Sequence, residues 1–134
     1  MHLSLRGCAA IGSAAVVWAS LALAATSPSL ETKLIGPEVS AKKASATIEA
    51  QVSGIQLVDP AKVQEKPHAG QGHLHYRVDQ GPVIATTTTK LSFHELSPGK
   101  HHISVSLVGN DHKPLGPHQD REITIPSEPH AHGM

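Results

Sequence analysis

The stretch GQGHLHYRVDQGP, residues 70–82, sets His73 and His75 two positions apart. On an extended strand, residues i and i+2 project from one face, about 6.5–7 Å apart at ~3.3 Å of rise per residue. Imidazole is the commonest side-chain metal ligand, so such a pair can share one ion. A third imidazole delivered by a loop would make a three-nitrogen centre, a donor set suited to Cu(II) or Zn(II) where thiolates are lacking. The chain has eleven histidines against one tyrosine, one phenylalanine and one tryptophan. In so histidine-rich a chain, H-x-H also arises by chance. The competing reading makes His73 and His75 solvent-facing strand residues that pair across a sheet.

The elements that would carry these side chains follow a period of two. In ATIEAQV (46–52), Ala46, Ile48, Ala50 and Val52 alternate with polar residues, the mark of a half-buried strand. HLHYRVD (73–79) puts Leu74, Tyr76 and Val78 on one face and His73, His75 and Arg77 on the other. HHISVSLV (101–108) points Ile103, Val105 and Leu107 one way, and REITIP (121–126) adds Ile123 and Ile125. VIATTTTK and LSFHEL fit shorter strands, being rich in β-branched or apolar residues. No window predicts an amphipathic helix; AKVQEKPHAGQG begins like one but is stopped by Pro67 and the glycines. Turn residues fall between the strands, at Gln80-Gly81-Pro82, Ser97-Pro98-Gly99 and Gly109-Asn110-Asp111.

About seven short strands over one domain predict an all-β, immunoglobulin-like antiparallel β-sandwich, with a small up-and-down barrel as the alternative. By analogy with that fold, residues 32–39 form strand A, 45–52 B, 73–79 C, 83–89 C′ or D, 90–96 E, 101–109 F and 121–126 G. C and F are then antiparallel neighbours. The start of C, with His73 and His75, lies beside the end of F and the F–G loop, which carries His112 and His118. His68 lies in the loop leading into C. His94, His101 and His102 fall at the opposite pole with Asp79. The predicted metal ligands are therefore His73, His75 and His112, with His118, His68 and His101 as further candidates. His101 shares parity with Ile103, which also suits a structural hydrogen bond at the core edge.

Ahead of the strands, CAAIGSAAVVWASLALAA is an uncharged apolar run ending in small residues, and Ala22-Leu23-Ala24 fits a signal-peptidase site. Residues 1–24 are read as a secretory signal peptide, 25–34 as a flexible leader, 35–127 as the β-sandwich and 128–134 as a flexible tail carrying His130 and His132. An uncleaved anchor is the alternative, since the run approaches the ~20 residues that span a bilayer. Cleavage would remove Cys8 and Trp18, leave no stable membrane span, and make a periplasmic or secreted chain without disulfide or thiolate chemistry.

Eleven basic residues balance eleven acidic ones, which argues against nucleic acid or an anionic membrane as partner. Glu95 and Glu122 show no paired-carboxylate pattern, no G-x-S-x-G occurs, and GQGH lacks the Lys-Ser/Thr of a phosphate loop. No enzyme is expected.

GQGHLHYRVD and LSPGKHHISVSLVGNDHKPLGP resemble a group of small exported bacterial domains of unknown function. These carry G-x-G-H-x-H-x-x-x-D, then L-x-P-G-x-H and a later D-x-H. The resemblance spans roughly residues 35–126 and places His73, His75, Asp79, Pro98-Gly99 and His101 at its motif positions; His112 answers to the last histidine, but here it directly follows Asp111, a departure from the D-x-H spacing. It implies an exported β-sandwich and names no activity. The functional expectation is a non-catalytic domain that binds copper or zinc. The alternative is a metal-free interaction or structural module of the cell envelope, holding a partner protein or an envelope polymer.

Overall fold

Side-chain alternation decides which segments pair. The computed structural model describes residues 27–64 and 66–127. Its elements are β1 (Ser29–Leu34), α1 (Pro37–Lys42), β2 (Ala46–Ser53), β3 (Gln56–Leu57), β4 (Gln71–Val78), β5 (Ile84–Thr86), β6 (Lys90–Phe93), β7 (Gly99–Gly109) and β8 (Pro114–Ile125). They form two sheets, β1-β2-β6 and β3-β4-β7-β8, with β5 also on β4. Every pairing is antiparallel except β3 with β4. With β1, β2, β4, β6, β7 and β8 in the places of A, B, C, E, F and G, this is the expected sandwich, and β5 takes the place of C′.

The core is aliphatic. Ala46 and Ile48 from one sheet meet Leu74, Tyr76, Ile103, Val105 and Leu107 from the other, all fully buried. Ile123 and Ile125 extend it along β8. These are the inward positions that the alternation marks in the sequence. Tyr76 is the large aromatic exception, and its hydroxyl donates to the Thr88 carbonyl at 2.7 Å. That bond satisfies the Tyr76 hydroxyl inside an otherwise aliphatic core.

Several boundaries differ from expectation. Strand A does not run over 32–39, and residues 29–34 of the expected leader are strand β1, with Leu30 and Thr32 buried against the core. The strand stops because Gly36 turns the backbone left-handed (φ 49°) and Pro37 opens α1, a helix the sequence reading did not anticipate. The expected 83–89 strand narrows to Ile84–Thr86. Strand G begins at Pro114 rather than Arg121, so His118 lies in β8 and not in a loop. Pro114, Gly116 and Pro117 read as loop chemistry, but an edge strand tolerates proline. A register shift between Ser106 and Val108 absorbs the irregular start of β8.

Among the described residues no helix is long and apolar enough to cross a membrane. The apolar run of 1–24, its cleavage point and the 128–134 tail lie outside the described residues.

Candidate metal centre

His73 and His75 stand on β4 with the parity of the outer face, and their cross-strand partners on β7 are Val108 and Ser106. His112 occupies the turn between β7 and β8. That turn is closed by hydrogen bonds from His112 N to the Gly109 carbonyl and from Gly109 N to the Lys113 carbonyl, both 2.9 Å. Asp111 Oδ1 accepts from Lys113 N at 3.2 Å, and Asn110 Nδ2 reaches back to Gln71 Oε1 at 3.1 Å. The tip of the turn is thereby fastened to the start of β4. The backbone at His112 is left-handed, with φ at 62°.

The start of β4 is shaped by its glycines. Gly70 has φ of 79°, a conformation that costs other residues. At Gly72 a Cβ would collide with the Val108 carbonyl oxygen and approach Ile55 Cδ1 to 2.9 Å. Of the two glycines before the histidines, Gly70 therefore permits the left-handed turn into β4 and Gly72 the close packing of β4 on β7.

These elements bring three ring nitrogens together. His73 Nε2 lies 3.0 Å from His75 Nε2 and 3.2 Å from His112 Nδ1, and the last two are 3.1 Å apart. Among the described residues this is the one group of three or more potential ligand residues whose donor atoms lie mutually close. Its depth is graded: His73 is fully buried, His75 half-buried and His112 exposed. His73 had been equally readable as a solvent-facing strand residue, and it is not one. The ring centroids are 4.7–5.3 Å apart, with His73 and His112 edge to face.

The electrostatics favour the neutral, ligating form of His73 and His75. Burial, and then the proximity of His75 and His112, lowers the His73 pKa to about 4. Burial and then His112 also lower that of His75. Each ring nitrogen offers one proton or one lone pair along one axis. Three such nitrogens in mutual contact cannot all be paired by hydrogen bonds, so somewhere in the triangle two lone pairs or two N–H groups face each other. A cation bound there would relieve that conflict, and His73 Nε2, His75 Nε2 and His112 Nδ1 are the atoms that could hold it.

The other candidates lie apart from this group. His101 sits at the far pole, as its strand position requires. Its Nδ1 donates to Asp79 Oδ2 and its Nε2 to the Ser97 carbonyl, each at 2.6 Å. Two acceptors favour the doubly protonated ring, and its pKa is raised first by the Ser97 carbonyl and then by Asp79. Asp79, read from sequence as a turn former, also accepts from His102 N at 2.8 Å; that bond and then His101 lower its pKa. His118 Nδ1 meets Ser106 Oγ at 2.8 Å and its Nε2 meets Asp120 Oδ2 at 3.0 Å. His68 is exposed and bonds only to the adjacent Ala69 carbonyl, at 3.1 Å. Sequence reasoning missed the Asp120–His118–Ser106 chain, because it placed His118 in a loop. The alternation of His118 and Asp120 was the available signal.

No family profile, curated protein or solved structure matches the chain.

Proposed function

We propose that this protein is an exported, non-catalytic β-sandwich that holds one copper or zinc ion through His73 Nε2, His75 Nε2 and His112 Nδ1. The observation that carries the reading is the convergence of three ring nitrogens within 3.0–3.2 Å of one another. The burial of His73 supports it. Its Nδ1 is enclosed without a hydrogen-bond partner among the described residues, a cost of about 1–3 kcal/mol. A leucine would fill the same space without that cost, so packing alone gives no reason for a histidine there. Export rests on the apolar run and small-residue triplet of the first 24 residues.

The test is calorimetric titration of the mature chain with Cu(II) and Zn(II), using a background in which His130 and His132 are both alanine so that the tail adds no ligand. One equivalent should bind with micromolar or tighter affinity. His75→Ala and His112→Ala should each weaken it by about 100-fold or more, since each removes one of three bonds to the ion. Wild-type binding in both His73→Ala and His75→Ala would refute the assignment. In that case the same outer face would be better tested for capture of an envelope protein.

A further inference from the structure

Besides the three ligating histidines, β7 and β8 hold a second chain of polar side chains. Asp120 Oδ2 lies 3.0 Å from His118 Nε2, and His118 Nδ1 lies 2.8 Å from Ser106 Oγ. The acceptor at one end sets the direction of the protons. An ionised carboxylate only accepts, so Nε2 carries the proton of the neutral ring and Nδ1 keeps its lone pair. The Ser106 hydroxyl therefore donates to Nδ1. Nucleophile, base and orienting carboxylate stand in the order that activates a serine. The chain is open to solvent: Ser106 is half-buried, and the His118 and Asp120 side chains are 49% and 63% exposed. None of the three belongs to the core, so packing does not account for the arrangement. Ser106 also borders the register shift of this strand pair, where Pro114 to His118 of β8 face Ser106 to Val108 of β7. Extra residues of this kind re-aim the side chains beside them.

We propose that Ser106 is an acylation site, whose hydroxyl takes an acyl group from small activated carboxylic esters with His118 as its base. Ser106 Oγ attacks the ester carbonyl carbon while its proton passes to His118 Nδ1. The bond from that carbon to the leaving oxygen then breaks, the leaving oxygen takes the proton from His118, and the acyl group stays on Ser106. Asp120 is a positioning residue: it fixes the tautomer of His118 and steadies the imidazolium that forms. The step is independent of the metal reading of His73, His75 and His112.

The test is acetylation of the mature chain by p-nitrophenyl acetate, quenched in acid at intervals and read residue by residue by peptide mapping. Ser104, equally half-buried two positions earlier on β7, is the internal reference. General-base assistance is worth about 10²–10⁴-fold, so Ser106 should acetylate at least about 100 times faster than Ser104. In His118→Gln that lead should vanish. In Asp120→Asn it should shrink about tenfold or more, and Asp120→Glu should keep most of it. Equal rates at Ser106 and Ser104 in the parent overturn the proposal. A Ser106 rate that His118→Gln leaves unchanged also overturns it, since the chain would then only tie β8 to β7. The first comparison is made within one folded molecule, so a variant that unfolds does not remove the test.

Discussion

His112 holds a left-handed backbone, φ 62°, at the tip of the β7–β8 turn. For a residue with a Cβ that conformation costs about 1–3 kcal/mol, of which glycine returns part against its own entropy. His112→Gly should therefore stabilise the metal-free protein by about 0.5–1 kcal/mol while abolishing metal binding, as measured by urea denaturation beside calorimetry. The same opposition applies to His73. His73→Leu removes an enclosed nitrogen without a partner, so the metal-free stability should hold or rise by about 1 kcal/mol even though the ion is no longer bound. A large destabilisation in that variant would make His73 a packing residue after all. His101 has the opposite character. Its pKa is raised above the ordinary 6.5 in the folded chain, so its contribution is complete below the unfolded value and is lost as pH rises through the folded one. Asp79, whose pKa is held below 3.8, sets the acid limit: its share is lost as pH falls through that lowered value. Asp79 is partly exposed, which weakens the pair. His101→Gln should accordingly cost about 1 kcal/mol at mildly acidic pH, and the gap to the parent should narrow as the solution is made alkaline. Comparing the two proteins at each pH cancels the opposing drift from His73 and His75.

Between strands, the decisive contact is the approach of β4 to β7 at Gly72. Gly72→Ala would drive a methyl group into the Val108 carbonyl oxygen and Ile55, an overpacking cost of about 1–3 kcal/mol. It would also displace His73, the next residue, so metal affinity should fall although no ligand is altered. Calorimetry and a denaturation curve on that one variant check both effects. The strands of this sheet were readable because their alternation is strict: Leu74-Tyr76-Val78 and Ile103-Val105-Leu107 leave no doubt about which face is inward. From the C–F pairing, the neighbourhood of His73, His75 and His112 followed. The ends of the sheets were harder. β1 was set too late, at 32–39 instead of 29–34, because only Leu30, Thr32 and Leu34 face inward and a buried threonine looks polar in a sequence. The start of β8 was hidden by Pro114, Gly116 and Pro117, whose turn chemistry is overridden by pairing with β7. The burial of His73 was beyond alternation altogether, since it depends on how the β7–β8 turn folds over the end of the sheet.

At the scale of the molecule, an ion that binds only the folded chain adds its binding energy to stability. With free Zn(II) at 100 times the dissociation constant the gain is about 2.7 kcal/mol, which for a domain of ~100 residues raises the melting temperature by about 10–20 °C. Thermal melts with and without metal should show that rise in the parent and its absence in His75→Ala, and a chelator should reverse it. The unequal depth of the three ligands also has a kinetic consequence. His73 is sealed beneath, His75 stands midway and His112 alone is exposed, on a turn, while the sheet below is anchored by the core. The ligand free to swing away first is His112. An ion held here would therefore leave in steps that start with the His112 side chain, and the lifetime of the loaded state would be set by how often that ring swings out from its fastened turn. The sandwich could then be rigid and an ion on it still labile, because the latch and the frame are different pieces of chain.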